Sequence, residues 1–190
     1  GTPSAPATAS FILDTVAPSA PATAPASYED NVGSVTSATS TAPTTDDTTP
    51  SVNVGTGLTD TPKLYVDGTL VPSTYNPVTG ELTPNAPLGE GSHALTYTLT
   101  DSAGNESGQS PALTVTVDTT APTTPATAPS SYVDNAGSIT NAASTAPTTD
   151  DTTPSVNVGT GLTDVPKLYV DGTLVPSTYN PATGALTPNA

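Results

Sequence analysis

Cysteine, methionine and tryptophan are absent from the 190 residues, histidine occurs once, and two basic side chains face 17 acidic ones. Each scarcity removes a class of function. Without Cys there is no disulfide framework, thiolate nucleophile or Cys-based zinc site. The single His93 cannot build a histidine cluster. Lys63 and Lys167 stand far apart in a chain of formal charge −15, so the clustered basic surface that phosphates require is missing and no nucleic-acid partner is expected. No run approaches the roughly 18 apolar residues of a membrane span, so no membrane insertion is expected. Gly1 opens no signal peptide, and the chain reads as excised from something longer.

What is present is Pro 22, Gly 15 and much Thr, Ser and Ala. Such composition suits a disordered stalk, because it buries little apolar surface. The order of the residues argues otherwise. The run Ser-Thr-Ala-Pro-Thr-Thr-Asp-Asp-Thr-Thr-Pro-Ser-Val-Asn-Val-Gly starts at Ser40 and returns word for word at Ser144, a period of 104 residues. Solenoid units recur at roughly 20 to 50 residues, whereas about 100 can hold a core alone. A hydrophobic content of 33% is thin for one large core and fits two small ones. Residues 17–86 lie over 121–190 with about 11 differences. The division expected is therefore 1–14 as the last strand of a preceding repeat, 15–117 as a complete repeat, and 118–190 as a truncated one lacking counterparts of 87–117.

Within the complete repeat the apolar period is two, the mark of half-buried strands. Leu95, Tyr97 and Leu99 alternate with Thr96, Thr98 and Thr100, and Leu113, Val115 and Val117 alternate with Thr114 and Thr116. Pro and Gly are spread too evenly for a useful helix. Asp67-Gly68 reads as a two-residue hairpin, with further turns at 76–80 and 102–105. Strands are expected near 22–29, 50–56, 62–67, 69–75, 81–84, 92–101 and 110–117. Seven short strands in about 100 residues indicate an all-β fold of tandem immunoglobulin-like sandwiches.

Asp118-Thr119-Thr120-Ala121-Pro122, Asp134-Asn135-Ala136-Gly137, Thr149-Asp150-Asp151-Thr152-Thr153-Pro154, Gly91-Ser92-His93 and Asp101-Ser102-Ala103-Gly104-Asn105-Glu106-Ser107 together resemble the bacterial Ig-like repeats of giant surface adhesins. The resemblance implies an extracellular, secreted protein of the bacterial cell surface, of the biofilm-associated or RTX-adhesin kind, in which many repeats form a calcium-stiffened stalk. The period also resembles that of the extender repeats of ice-binding RTX adhesins. Asn31 and Asn135 depart from the Asp-Asp-x-Gly pattern common in that family and keep an oxygen there.

Ig topology gathers the acids at the ends of the domain. Asp30 and Asn31 after the first strand, Asp46 and Asp47 before the second, and the outgoing Asp118 are expected at one pole, with Asp134, Asn135, Asp150 and Asp151 as their counterparts in the second copy. Asp14 on the incoming chain and the turn from Asp101 to Asn105 are expected at the other. Such oxygen-only groups suit calcium, which takes six to eight ligands in irregular geometry. Magnesium demands near-ideal octahedra, and transition metals favour His or Cys. Glu29 and Glu81 become Val133 and Ala185, so neither is a required ligand. The competing reading is that aspartates cap turns and keep the surface soluble; Asp60 and Asp67 fall under it.

Lys63 and Lys167 read as solvated and His93 as a strand-surface residue. The acids, set on turns, offer no cleft for paired acid–base work, and no phosphate loop or nucleophile triad is present, so no enzyme is expected. The function read is a structural extender whose partners are neighbouring repeats of the same chain. Its competitor is a module binding glycan, ice or another adhesin through Thr- and Tyr-rich strand faces.

Overall fold

The computed structural model describes Gly1, Thr2, Ser4 and residues 8–189. Part of the expected leading strand, residues 3 and 5–7, and the terminal Ala190 lie outside the described residues. The chain forms two units, Gly1–Thr120 and Ala121–Ala190.

The first unit is two five-stranded sheets. One runs β2 (Ser37–Ser40), β1 (Tyr28–Asp30), β4 (Ser51–Asn53), β8 (Glu81–Pro84) and β7 (Ser73–Asn76); the other runs β3 (Thr44–Thr45), β10 (Leu113–Val117), β9 (Gly91–Thr100), β5 (Thr61–Val66) and β6 (Thr69–Val71). Pairing is antiparallel except for the parallel contact of β10 with β3. Tyr28, Val52, Val54 and Leu82 from the first sheet side meet Leu64, Val66, Leu95, Tyr97 and Val115 from the second. This is the alternation seen in the sequence, since successive strand side chains point to opposite faces. The all-β, Ig-like sandwich read from the sequence is the fold observed.

Turn chemistry sets the registers. Asp67 at φ 51° and Gly68 at φ 77° give both central residues the left-handed conformation that a twisted two-residue hairpin needs. Pro72 follows β6 and donates nothing to a ladder, so the expected single strand 69–75 divides there and its second half, β7, joins the other sheet. Gly80, at φ 80°, approaches the Gly55 backbone so closely that a Cβ would meet its carbonyl carbon at 2.6 Å.

Three expectations differ from the structure. Residues 22–27 form no strand, and the first begins at Tyr28, because Pro21 and Pro25 interrupt the segment. The short polar strands β2 and β3 carried no apolar signal. Residues 9–13 form no strand either: Phe11, Ile12 and Leu13 are exposed, so their apolar run packs on no strand of the first unit.

In the second unit β12 (Asn141–Ser144), β11 (Ser131–Asp134), β13 (Ser155–Asn157), β17 (Ala185–Pro188) and β16 (Ser177–Asn180) repeat the first sheet in the same order, while only the hairpin of β14 (Leu168–Val170) and β15 (Thr173–Val175) represents the second. Val66 is 8% exposed and its counterpart Val170 is 49%; with near-identical local sequence, the difference comes from β9 and β10, which cover the first unit alone. Leu64→Ala should therefore cost about 2–5 kcal/mol, the usual range for a buried leucine, and Leu168→Ala, at a half-buried position, distinctly less. Urea titrations followed through amide signals of each unit compare the two.

Candidate functional site

The exit pole of the first unit is built on β1, the loop into β4 and the end of β10. Asp30, 6% exposed, accepts hydrogen bonds from the Thr45 hydroxyl at 2.9 Å and the Val32 N–H at 3.4 Å. Asp47 is 1% exposed. It accepts from the Thr49 N–H at 2.7 Å, the Thr49 hydroxyl at 3.2 Å and the Asn31 N–H at 3.5 Å. Asp46 is exposed and lies over Gly33, whose φ of 73° and missing Cβ leave room for that carboxylate. Asp118 donates its N–H to the Thr45 carbonyl at 2.9 Å, and its side chain receives the Thr120 N–H at 3.0 Å. Asp30, Asp46 and Asp118 line one cleft, while Asn31 joins the group through its backbone.

At the other pole the Asn105 amide donates to the Asp14 carbonyl at 3.2 Å and to Asp101 Oδ2 at 2.9 Å. Asp101 Oδ1 accepts the Ala103 and Asn105 N–H groups at 2.9 and 2.8 Å. Bonds from Asn105, chiefly its side chain, and from the turn backbone hold the Asp101 carboxyl below its ordinary range. The Asp14 side chain faces its own segment and accepts the Val16 N–H at 3.0 Å.

The second unit repeats the exit pole. Asp134 and Asp150 line one cleft, Asp150 lies over Gly137 as Asp46 does over Gly33, and the Asn135 N–H donates to Asp151 at 3.3 Å. One difference is chemical: Asp134 is 8% exposed and its Oδ1 is buried with no hydrogen-bond partner. An orphaned buried carboxylate oxygen is costly, and a cation would satisfy it. Among the described residues, no group of three or more His, Cys, Asp or Glu converges tightly enough to hold a metal ion. The donors are all oxygen, as calcium prefers, but the carboxylates would have to close further to bind it.

Sequence reasoning missed Thr45, whose hydroxyl donates to Asp30 and accepts the Asp47 N–H at 3.0 Å. Its sole signal was its place beside the paired aspartates, repeated at Thr149. It also missed Glu106. Lys63, expected to be solvated, pairs with Glu106 at 2.6 Å, because strand pairing brings β5 under the turn after β9. Glu106 Oε1 further accepts from the Tyr65 and Thr98 hydroxyls, each at 2.7 Å, and the three bonds, led by Lys63, lower its pKa to about 2. Two threonines of the β9 row are therefore occupied: Thr98 is 2% exposed beneath Glu106, and Thr96 bonds Gln109 at 2.9 Å. His93, expected on the surface, is instead held by Asp67 at 2.8 Å.

No helix among the described residues is long and apolar enough to cross a membrane. No curated protein matches the chain. Residues 22–119 match the model of a family described as the bacterial Ig-like domain, a span covering β1 to β10 of the first unit.

Two outcomes follow from these contacts. Asp47→Ala removes a buried carboxylate and leaves the Thr49 and Asn31 N–H groups without their acceptor, which should cost about 1–3 kcal/mol in calcium-free buffer; Asp46→Asn, at an exposed position, should cost little there. Thermal melts of the two variants decide it. Glu106 has a depressed pKa, so its stabilisation is present above its ordinary 4.5 and is lost as pH falls towards about 2. Glu106→Gln should lower stability at neutral pH and flatten that acid limb, measured by urea titration from pH 2 to 6.

Proposed function

The chain belongs to the bacterial Ig-like domain family, and from that premise we propose that it is a length of extracellular stalk. Each repeat acts as a spacer in a bacterial cell-surface adhesin, and calcium stiffens the repeats at their poles. Domains of this family are typically structural, extracellular and non-enzymatic, which agrees with the lack of any catalytic constellation in the sequence. One observation carries the spacer reading: the path of the chain through the complete unit. The incoming segment meets the β9–β10 turn through Asp14 and Asn105, beyond the far end of β9, whereas the outgoing segment leaves from Val117, paired with Gly91 at the near end. Entry and exit are thus separated by the whole of β9, ten residues or about 33 Å at roughly 3.3 Å each. A repeat threaded that way advances the chain. Near-identical copies in series then add reach.

Calcium is supported by the oxygen-only poles, the shared cleft of Asp30, Asp46 and Asp118, and the unpartnered Oδ1 of Asp134. In this reading Asp30, Asp46 and Asp118 hold the ion at the exit, Asp134 and Asp150 at the corresponding pole of the second unit, and Asp14, Asp101 and Asn105 at the entry. Asp47 and Asp151 shape the loop around it. The ion would supply positive charge that draws the outgoing strand against the pole. Direct binding of glycan or ice through the threonine rows is the weaker reading, since Thr96 and Thr98 are already bonded to Gln109 and Glu106.

Calcium bound only by the folded state adds about 1.4 kcal/mol per site at tenfold excess over Kd, so Tm should rise on titration and fall with chelator. Asp46→Asn combined with Asp118→Asn should remove most of the exit-pole share, while Glu81→Ala should not, because the second copy carries Ala185 there. Calorimetry reads both. A melt that is indifferent to chelator would refute the calcium part, and adhesion by isolated repeats in a glycan or ice-affinity assay would refute the spacer part.

A further inference from the structure

The only histidine of the chain sits in an arrangement that the calcium reading leaves unused. His93 lies on β9 two residues before Leu95, in phase with the core positions Leu95 and Tyr97, and its side chain is 15% exposed. Its Nδ1 stands 2.8 Å from Asp67 Oδ2 and its Nε2 2.9 Å from the Gly89 carbonyl oxygen. A carbonyl oxygen and an ionised carboxylate only accept, so both contacts are hydrogen bonds only when both ring nitrogens carry protons; a neutral imidazole carries one. Asp67 is kept ionised by its surroundings, since its other oxygen accepts the Ala94 N–H at 2.8 Å and that bond, followed by the one to His93, lowers its pKa.

We propose that His93 is a proton-operated clip: doubly protonated, it fastens the segment ahead of β9 to the β5–β6 turn and thereby steadies the chain leaving the unit, and neutral, it lets one of the two contacts go. The connection to the exit is continuous. Gly89 is followed by Glu90, whose carboxylate accepts the Thr119 N–H at 3.0 Å and also bonds the Thr119 hydroxyl.

The charges around the ring favour the imidazolium. Asp67 faces it from the β5–β6 turn, and Glu90 lies in the segment that leads into β9. Its partner across the ladder, Val115 of β10, and Val66 at the adjoining end of β5 carry no charge. The nearest lysine in β5, Lys63, is at that strand's other end and tied to Glu106. The Asp67 bond first, and the Gly89 carbonyl next, raise the His93 pKa above 6.5. With the folded value raised, the clip's contribution is fully present below 6.5 and is lost as pH rises through the folded value. No other side chain type in this composition ordinarily titrates between pH 5 and 8.

The test is a titration of the whole chain from pH 5 to 8.5 in chelator, so that its outcome does not depend on calcium, following the imidazole and the Thr119 amide by NMR. The imidazole midpoint should lie above 6.5, and the Thr119 amide should shift with the same midpoint. His93→Gln should abolish that Thr119 response, and Glu90→Ala should abolish it while leaving an imidazole midpoint above 6.5. An imidazole midpoint at or below 6.5, a Thr119 amide that does not move, or a Thr119 response that persists in His93→Gln would overturn the clip.

Discussion

The six-position pairing of β5 with β9, from Thr61 opposite Thr100 to Val66 opposite Leu95, is the contact on which the rest of the unit depends. It places Leu64, Val66, Leu95 and Tyr97 on one inner face, and it seats β9 where β10 can pair with it. β10 in turn holds β3 in parallel, and β3 carries Thr45, the residue that joins Asp30 to the loop of Asp46 and Asp47. The chain supplies its own control. In the second unit, with no strand in the place of β9, the counterpart of β5 shortens to Leu168–Val170, although the first sheet keeps its full order. The first sheet survives alone, with β13 paired to both β11 and β17. The second sheet is reduced to its hairpin because no strand stands in the place of β9 to pair with the counterpart of β5; separation along the chain is not the cause, since Val52 pairs with Leu82 and Val156 with Leu186 over a similar distance.

The acids follow a similar logic. With 17 carboxylates and two lysines, ionic pairing is not open to most of them, and Lys63 is spent on Glu106. Asp30, Asp47 and Asp151 are held instead by N–H groups and hydroxyls, whereas Asp134 keeps a buried oxygen without a partner. Asp47 and Asp151 each take the N–H of a threonine two residues on, and Thr45 and Thr149 each receive the N–H of the aspartate two residues on. Alternation of Thr with Asp is thus a hydrogen-bonding unit that lets a carboxylate be buried without a cation. The exposed remainder keeps a field of one sign, which opposes compaction and self-association and is softened by salt within about 8 Å.

Strands with a clear period of two were legible in the sequence. β9 was expected at 92–101 and runs Gly91–Thr100, and the Asp67-Gly68 turn forms as its residue types require. What could not be read was of two kinds. β2 and β3, with the sequences Ser-Ala-Thr-Ser and Thr-Thr, bury almost nothing and exist because a neighbouring strand offers them backbone partners, a tertiary effect with no local signature. Glu106 looked like any surface acid of a turn, and only the pairing of β5 with β9 puts Lys63, Tyr65 and Thr98 within its reach. The poles were legible because Ig topology itself assigns loop ends to poles. Which carboxylate is buried and which is free was not, since Asp46 and Asp47 are adjacent and chemically identical, and the turn alone turns one outward and the other in.

That division between neighbours connects the fold to its proposed use. A residue such as Asp47, consumed by backbone donors, can shape a loop but has little left to offer an ion, whereas Asp46 and Asp118 are exposed beside it and keep most of their acceptor capacity. The exit strand is fastened to the same loop by backbone contacts, with Thr116 donating to the Pro43 carbonyl and Asp118 to that of Thr45. Rigid scaffold and free ligand therefore meet where the chain leaves the unit. A charge placed there acts on the departing segment with a short lever, because the loop beneath is already held by Asp30, Thr45 and Asp47. His93 is linked to that same segment through Gly89, Glu90 and Thr119, so the proposed ion and the proposed proton would both act on one stretch of outgoing chain.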